Sequence, residues 1–235
     1  MNKQHKVVIA GGTSGIGLAT ATLLAGLGKQ IIVTGRDAAR GKSAESIHAN
    51  ITSAALDSGN RNDMDSFFKQ QGTIDHLVIA LSGAKGAGVF AVLSLQDLRE
   101  AFEGKFWPHL NTLQAALPYI SKGGSITIVT AISATAQMPG TSGLAAMNGA
   151  LEIIVPILAK ELPVRINAIS PGVIDTNWWS FLPEQAKQEA FAHYATQTTV
   201  GRVGKPEEIA EAIRFVIDNA YVTGTVLQCA GGLGL

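Results

Sequence analysis

Short apolar runs rich in β-branched residues alternate along this chain with longer stretches of helical periodicity. The runs are KVVIA (6–10), QIIVT (30–34), SAAL (53–56), HLVIA (76–80), SITIVT (125–130), RINAIS (165–170) and TVLQC (225–229). Several are apolar at successive positions, as a strand covered on both faces must be. Between them, the periodicity predicts helices near 15–27, 38–48, 62–70, 94–119, 143–161 and 206–218. The last opens with Pro206 and Glu207, whose missing N–H and negative charge suit a first helical turn. Strands separated by helices predict a parallel sheet with helices on both faces. The expected fold is therefore α/β: a doubly wound, Rossmann-type, three-layer sandwich with seven strands. No repeat or linker divides it, so one domain is expected over residues 1–235.

Residues 175–200, DTNWWSFLPEQAKQEAFAHYATQTTV, interrupt this rhythm. Ala186, Ala190, Phe191 and Tyr194 form a helical stripe after Pro183. A small helical flap at the carboxyl end of a strand is expected to act as a lid over a substrate pocket. Trp178, Trp179 and Tyr194 are its candidate substrate contacts, with Phe181 beside them, which suggests an apolar or aromatic compound.

Composition narrows the class. Eighteen basic residues balance eighteen acidic ones, which argues against nucleic-acid and membrane-surface partners. The single cysteine, Cys229, excludes an internal disulfide and suits a reducing cytoplasm. The start, MNKQHK, does not read as a signal peptide, and no stretch is read as a membrane span.

The first strand runs into GGTSGIG (11–17). A backbone passing close to a diphosphate needs residues without side chains, and a helix starting at Gly15 offers free N–H groups to the anion. At the end of the second strand, an acid would bind the ribose 2′-hydroxyl of NAD. Here Gly35 stands in that place and Arg36 follows, which favours the 2′-phosphate of NADP, although Asp37 is adjacent.

These features resemble the short-chain dehydrogenase/reductase family nearly end to end. The glycine loop matches the family's Thr-Gly-x-x-x-Gly-x-Gly, with Ala10 in place of the threonine. VTGR (33–36), IVTAIS (128–133), RINAISPGVIDT (165–176) and GRVGKPEEIA match further family segments. The resemblance implies NADP(H) held by Gly11, Thr13, Ser14, Gly15, Ile16, Gly17 and Arg36, with Asp57 on the adenine. Ser82, Asn148, Pro171, Gly172, Val173 and Thr176 would complete the cofactor site. It also implies that Ser133 orients a substrate carbonyl, and that the protein is a homodimer or homotetramer. In such oligomers the fourth and fifth long helices pair; Pro108 and Pro156 fall inside these two helices here and are expected to kink or break them.

The family's proton donor is the tyrosine of a Tyr-x-x-x-Lys pair. Aligned on that helix, this chain has Leu144 and Asn148, and neither can donate a proton. Where the family carries an asparagine on the preceding helix, this chain has Lys105. Either the cation now reaches the nicotinamide ribose from the other helix, or Lys105 is solvated on a site that has drifted. His109, after Pro108, is expected to face solvent or a partner subunit. The functions left open are an NADP(H)-dependent oxidoreductase of weak activity acting on a small carbonyl or hydroxyl compound, and a catalytically inactive NADP(H)-binding regulatory or scaffold protein.

Overall fold

The computed structural model describes residues 5–83 and 85–234; the sequence reading of MNKQ lies outside them. The described residues form a seven-stranded sheet from β1 (Lys6–Ala10), β2 (Gln30–Gly35), β3 (Ile51–Ala55), β4 (Ile74–Ile79), β5 (Ile120–Val129), β6 (Arg165–Pro171) and β7 (Val226–Cys229). The strands pair in parallel in the order β3-β2-β1-β4-β5-β6-β7. The chain therefore reverses direction across the sheet between β1 and β4, and a crevice opens there at the carboxyl ends of the strands.

The helices are α1 (Gly15–Gly26), α2 (Ala38–Glu45), α3 (Arg61–Gln71), α4 (Leu95–Ala101), α5 (Trp107–Ala116), α6 (Ser142–Glu161), α7 (Glu184–Gln197) and α8 (Pro206–Asp218). They cover both faces because successive side chains of a strand point to opposite sides. On β1, Val7 and Ile9 pack with Leu24 of α1 and Ile213 of α8. Val8 and Ala10 pack with Phe68 of α3, Leu113 of α5 and Val155 of α6. Every residue of β4 is buried, Asp75 and His76 included, which explains why its apolar run 77–79 does not alternate with polar residues. Burying one such Val, Leu or Ile side chain is worth about 1.5–3 kcal/mol. Three strand expectations shift: β3 spans Ile51–Ala55 instead of 53–56, β4 spans Ile74–Ile79 instead of 76–80, and β5 starts at Ile120, with a register irregularity opposite Ile74 and His76.

The stretch 94–119 is not one helix. After α4 the backbone opens into a π turn, Phe102–Phe106, before α5 begins at Trp107. The N–H of Trp107 reaches the carbonyl of Phe102, five residues back, and Pro108 has no N–H to close the next bond. α6 runs without interruption through Pro156, whose ring lies on an exposed side. Contrary to the sequence reading, α6 has the length and apolarity of a membrane span, with 20 residues and a mean hydropathy of 1.6. It instead packs on the sheet, where Met147, Leu151 and Val155 are buried beside the polar Asn148 and Glu152.

Candidate functional site

A cavity of about 690 Å³ occupies the crevice. Its nucleotide half is built by the loop between β1 and α1. Gly11 has φ +78°, and a Cβ there would stand 2.6 Å from the carbonyl oxygen of Ala80. A Cβ on Gly17 would collide with the carbonyl of Gly11. Only glycine allows this close passage, so the loop fits a dinucleotide diphosphate. Ser14, at the N-cap of α1, makes no side-chain cap bond, so the first-turn N–H groups are left for an anion. Thr13, Ser14, Gly15 and Ile16 all line the cavity.

Arg36, Arg40 and Asp57 also line the cavity. A Cβ at Gly35 would lie 2.8 Å from Thr13 Oγ1, so a side chain there would have to displace the Thr13 hydroxyl. The Asp37 carboxylate is engaged as the cap of α2: its Oδ1 accepts from the N–H groups of Ala39 (2.9 Å) and Arg40 (3.2 Å). Asp37 therefore competes less for the ribose than its sequence position suggests. Asp57 Oδ1 accepts from Gly59 N at 3.0 Å, which fixes the carboxylate at the rim.

The other half joins residues from three elements. Ser133 follows β5, Asn148 lies on α6 and Lys105 lies in the π turn; they are 6, 2 and 6 % exposed. Lys105 Nζ donates to Asn148 Oδ1 at 2.7 Å and to the carbonyl of Thr130 at 3.3 Å. Asn148 Nδ2 donates to Ser133 Oγ (3.2 Å) and to the carbonyl of Leu144 (3.0 Å). An ammonium can only donate, so it sets the orientation of the Asn148 amide. Ser133 Oγ therefore accepts from the amide, and its own proton is free for a ligand. Burial pushes Lys105 down to about 8, against an opposing effect of the Glu152 carboxylate. Lys105 is thus buried and bonded, and the solvated alternative is excluded.

Ser82, Pro171, Gly172, Val173 and Thr176 line the same cavity, as do Leu144, Trp178, Trp179 and Tyr194. Trp178 Nε1 donates to the carbonyl of Gly83 at 3.1 Å and so ties the 175–200 segment to the loop after β4. Trp179 Nε1 donates to Ile174 O at 3.0 Å. Phe181 departs from expectation: it is 64 % exposed and packs its ring on both tryptophans from outside the cavity.

His109 is the clearest correction. It is fully buried, with Nδ1 2.7 Å from the carbonyl oxygen of Lys105. Burial and the Lys105 charge hold it down to about 3, so the ring is neutral and Nδ1–H donates. Sequence reasoning also missed Arg40, four residues after Arg36, and Glu152, four after Asn148. Asn148 and Glu152 share one face of α6, whereas Arg40 sits in the first turn of α2 and Arg36 just before its cap.

Residues 10–234 match a family model described as enoyl-(acyl carrier protein) reductase. The chain is similar to a 3-oxoacyl-[acyl-carrier-protein] reductase from Chlamydia muridarum, 31% identical with 96% of each chain covered. It is also similar to a small-chain dehydrogenase solved in complex with NADPH: 30% identity, TM-score 0.85, 99% of each chain covered. A short chain oxidoreductase from Pseudomonas aeruginosa PAO1, described as containing an atypical catalytic center, is 27% identical over 97% of each chain, with a TM-score of 0.88. Together with the sheet order and the glycine cradle, these matches establish that the chain belongs to the short-chain dehydrogenase/reductase family.

Proposed function

We propose that this protein is an NADP(H)-dependent oxidoreductase whose proton donor is Lys105 in place of the family's tyrosine. The observation that carries the reading is the buried chain from Lys105 through Asn148 to Ser133. When bound, NADPH supplies a hydride to a carbonyl carbon. Ser133 donates its free hydroxyl proton as a hydrogen bond that orients the carbonyl oxygen. The Lys105 ammonium gives that oxygen a proton, becomes a neutral amine and regains a proton from water. Trp178 and Trp179 favour a small apolar or aromatic compound, and Leu144 adds apolar wall where the family has its phenol. An amine in this place is a less tuned acid than a phenol beside a lysine, so turnover is slow.

The test is to mix the protein with NADPH and a panel of aldehydes, ketones and quinones and follow nicotinamide absorbance. Consumption of NADPH supports the reading. Bound NADPH that is never consumed by any of them favours a binding module. The pH profile gives a second check. Lys105 is a proton donor below about 8 and a neutral amine above it, so kcat/KM should hold at neutral pH and fall as pH rises through that value. A profile flat through this range removes Lys105 from the reaction.

Preference for NADPH over NADH rests on Arg36 and Arg40 beside Gly35, which stands where an acid would bind the ribose of NAD. Arg36→Ala is expected to weaken NADPH binding by about 1.5–3 kcal/mol, the range of a charge-assisted bond, and to leave NADH binding nearly unchanged. Titration calorimetry with both nucleotides checks this, and equal losses for both would refute the assignment.

The proposal also takes the protein to be a cytoplasmic homodimer or homotetramer. Trp107 on α5 and Ile153 and Ile157 on α6 are 48, 68 and 51 % exposed, large apolar groups that a second copy would cover. Light scattering at micromolar concentration should show more than one chain per particle, and a monomer would rule it out.

A further inference from the structure

We propose that Glu152 is the counter-charge of Lys105: a positioning residue, held behind the cavity wall by two hydroxyls, that keeps the amine protonated and directed at Asn148. The inference rests on the reading of Lys105 given above. Glu152 is 8 % exposed and lies one turn beyond Asn148 on α6. Its Oε1 accepts from Thr130 Oγ1 and from Ser170 Oγ, each at 2.7 Å. A carboxylate in the interior needs such donors and an opposite charge. Glu152 does not line the cavity, and no family motif quoted above includes it.

Thr130 is the link. Its carbonyl faces Lys105 Nζ at 3.3 Å, while its hydroxyl faces Glu152. That hydroxyl has one proton and a second acceptor within reach, the carbonyl of Ile169 at 3.2 Å. The nearer and charged partner takes the proton. One residue therefore bridges cation and anion, and Ser170 at the end of β6 fixes the carboxylate from the other side. The groups facing Lys105 are few. From α5 comes the neutral His109; from the turn after β5 come Thr130 and Ser133, which carry no charge; from α6 come Asn148 and Glu152. Among these only Glu152 can offset the burial of the amine, and the direction of its influence on Lys105 is upward. Of the three ammonium protons, two have partners on the protein, and the third is available to a ligand in the cavity.

Glu152→Gln keeps the size and an oxygen for the two hydroxyls and removes only the charge. The Lys105 titration is read in the ligand-free full chain by NMR of side-chain-labelled lysines, with Lys105→Met to assign the signal. The midpoint should fall by about one pH unit in Glu152→Gln, the lower end of what one nearby opposite charge confers. An unmoved or raised midpoint overturns the proposal. Glu152→Asp, which draws the charge back by one methylene, should show a smaller displacement in the same direction. If the glutamine variant does not fold, the aspartate variant decides, and an unmoved midpoint there is equally fatal. The alkaline limb of kcat/KM should move with the midpoint, which a purely structural tie between α6 and the sheet would not produce. The two readings separate cleanly. A displaced midpoint in a protein that reduces nothing sinks the reductase and leaves the counter-charge standing. Turnover with an unmoved midpoint does the reverse.

Discussion

Replacing Lys105 by methionine is expected to slow NADPH-dependent carbonyl reduction by about 10²–10⁴-fold, the usual worth of a general acid. Methionine fills nearly the same buried volume without a charge, so packing around the π turn should persist. Two acceptors, Asn148 Oδ1 and the Thr130 carbonyl, lose their donor, which costs about 1–3 kcal/mol if nothing replaces it. The desolvation of a buried cation disappears, but the buried Glu152 carboxylate loses its counter-charge, so the melting temperature should fall. Lys105→Arg should not rescue the rate, because a guanidinium does not release a proton near neutral pH. The decisive measurement is kcat/KM alongside the NADPH dissociation constant. Full activity in the methionine variant with NADPH still bound would shift the proton to water or to Tyr194, the remaining hydroxyl acid on the lid wall.

The layers of this fold were legible in the sequence because they follow from periodicity. Seven apolar runs became seven strands, and the buried β4 shows why its pattern did not alternate. The nucleotide loop was legible for a different reason: glycine is the only residue tolerated where a backbone crosses another, and Gly11 and Gly17 each do so. What periodicity could not show was the phase of the helix after 94. Pro108 marked a break, but not that the break is a π turn, which adds a residue to one turn and changes which side chains face inward. Lys105 and His109, four residues apart, share a face, so the turn that buries Lys105 carries His109 inward with it, away from the solvent or partner expected for it. Glu152 escaped notice because a charge on a helix usually marks its wet face. Only the hydroxyls of Thr130 and Ser170, which come from other strands' ends, reveal that this one is buried.

The same geometry revises what repair of the family's motif should do. On sequence alone, Leu144→Tyr with Asn148→Lys installs a phenol and its activating cation one helical turn apart and should raise activity. In the folded chain the side chain at 148 touches Lys105 Nζ at 2.7 Å, and both residues are buried. Two ammonium groups about 4 Å apart repel by about 4 kcal/mol at an effective dielectric of 20, so one must lose its proton or the helix must move. The double variant is therefore expected to melt lower than the wild type and to turn over more slowly. Adding Lys105→Asn removes the clash and returns the amide to the π turn, so the triple variant should be the fastest. Leu144 already lines the cavity, which gives a tyrosine there direct access to a substrate. Thermal melting and NADPH-dependent reduction of a reactive diketone should thus rank the rates as triple, wild type, double. A double variant as stable as the wild type and faster than the triple would mean that Lys105 does not point at position 148 in the working enzyme, and the rebuilt centre would fall with it.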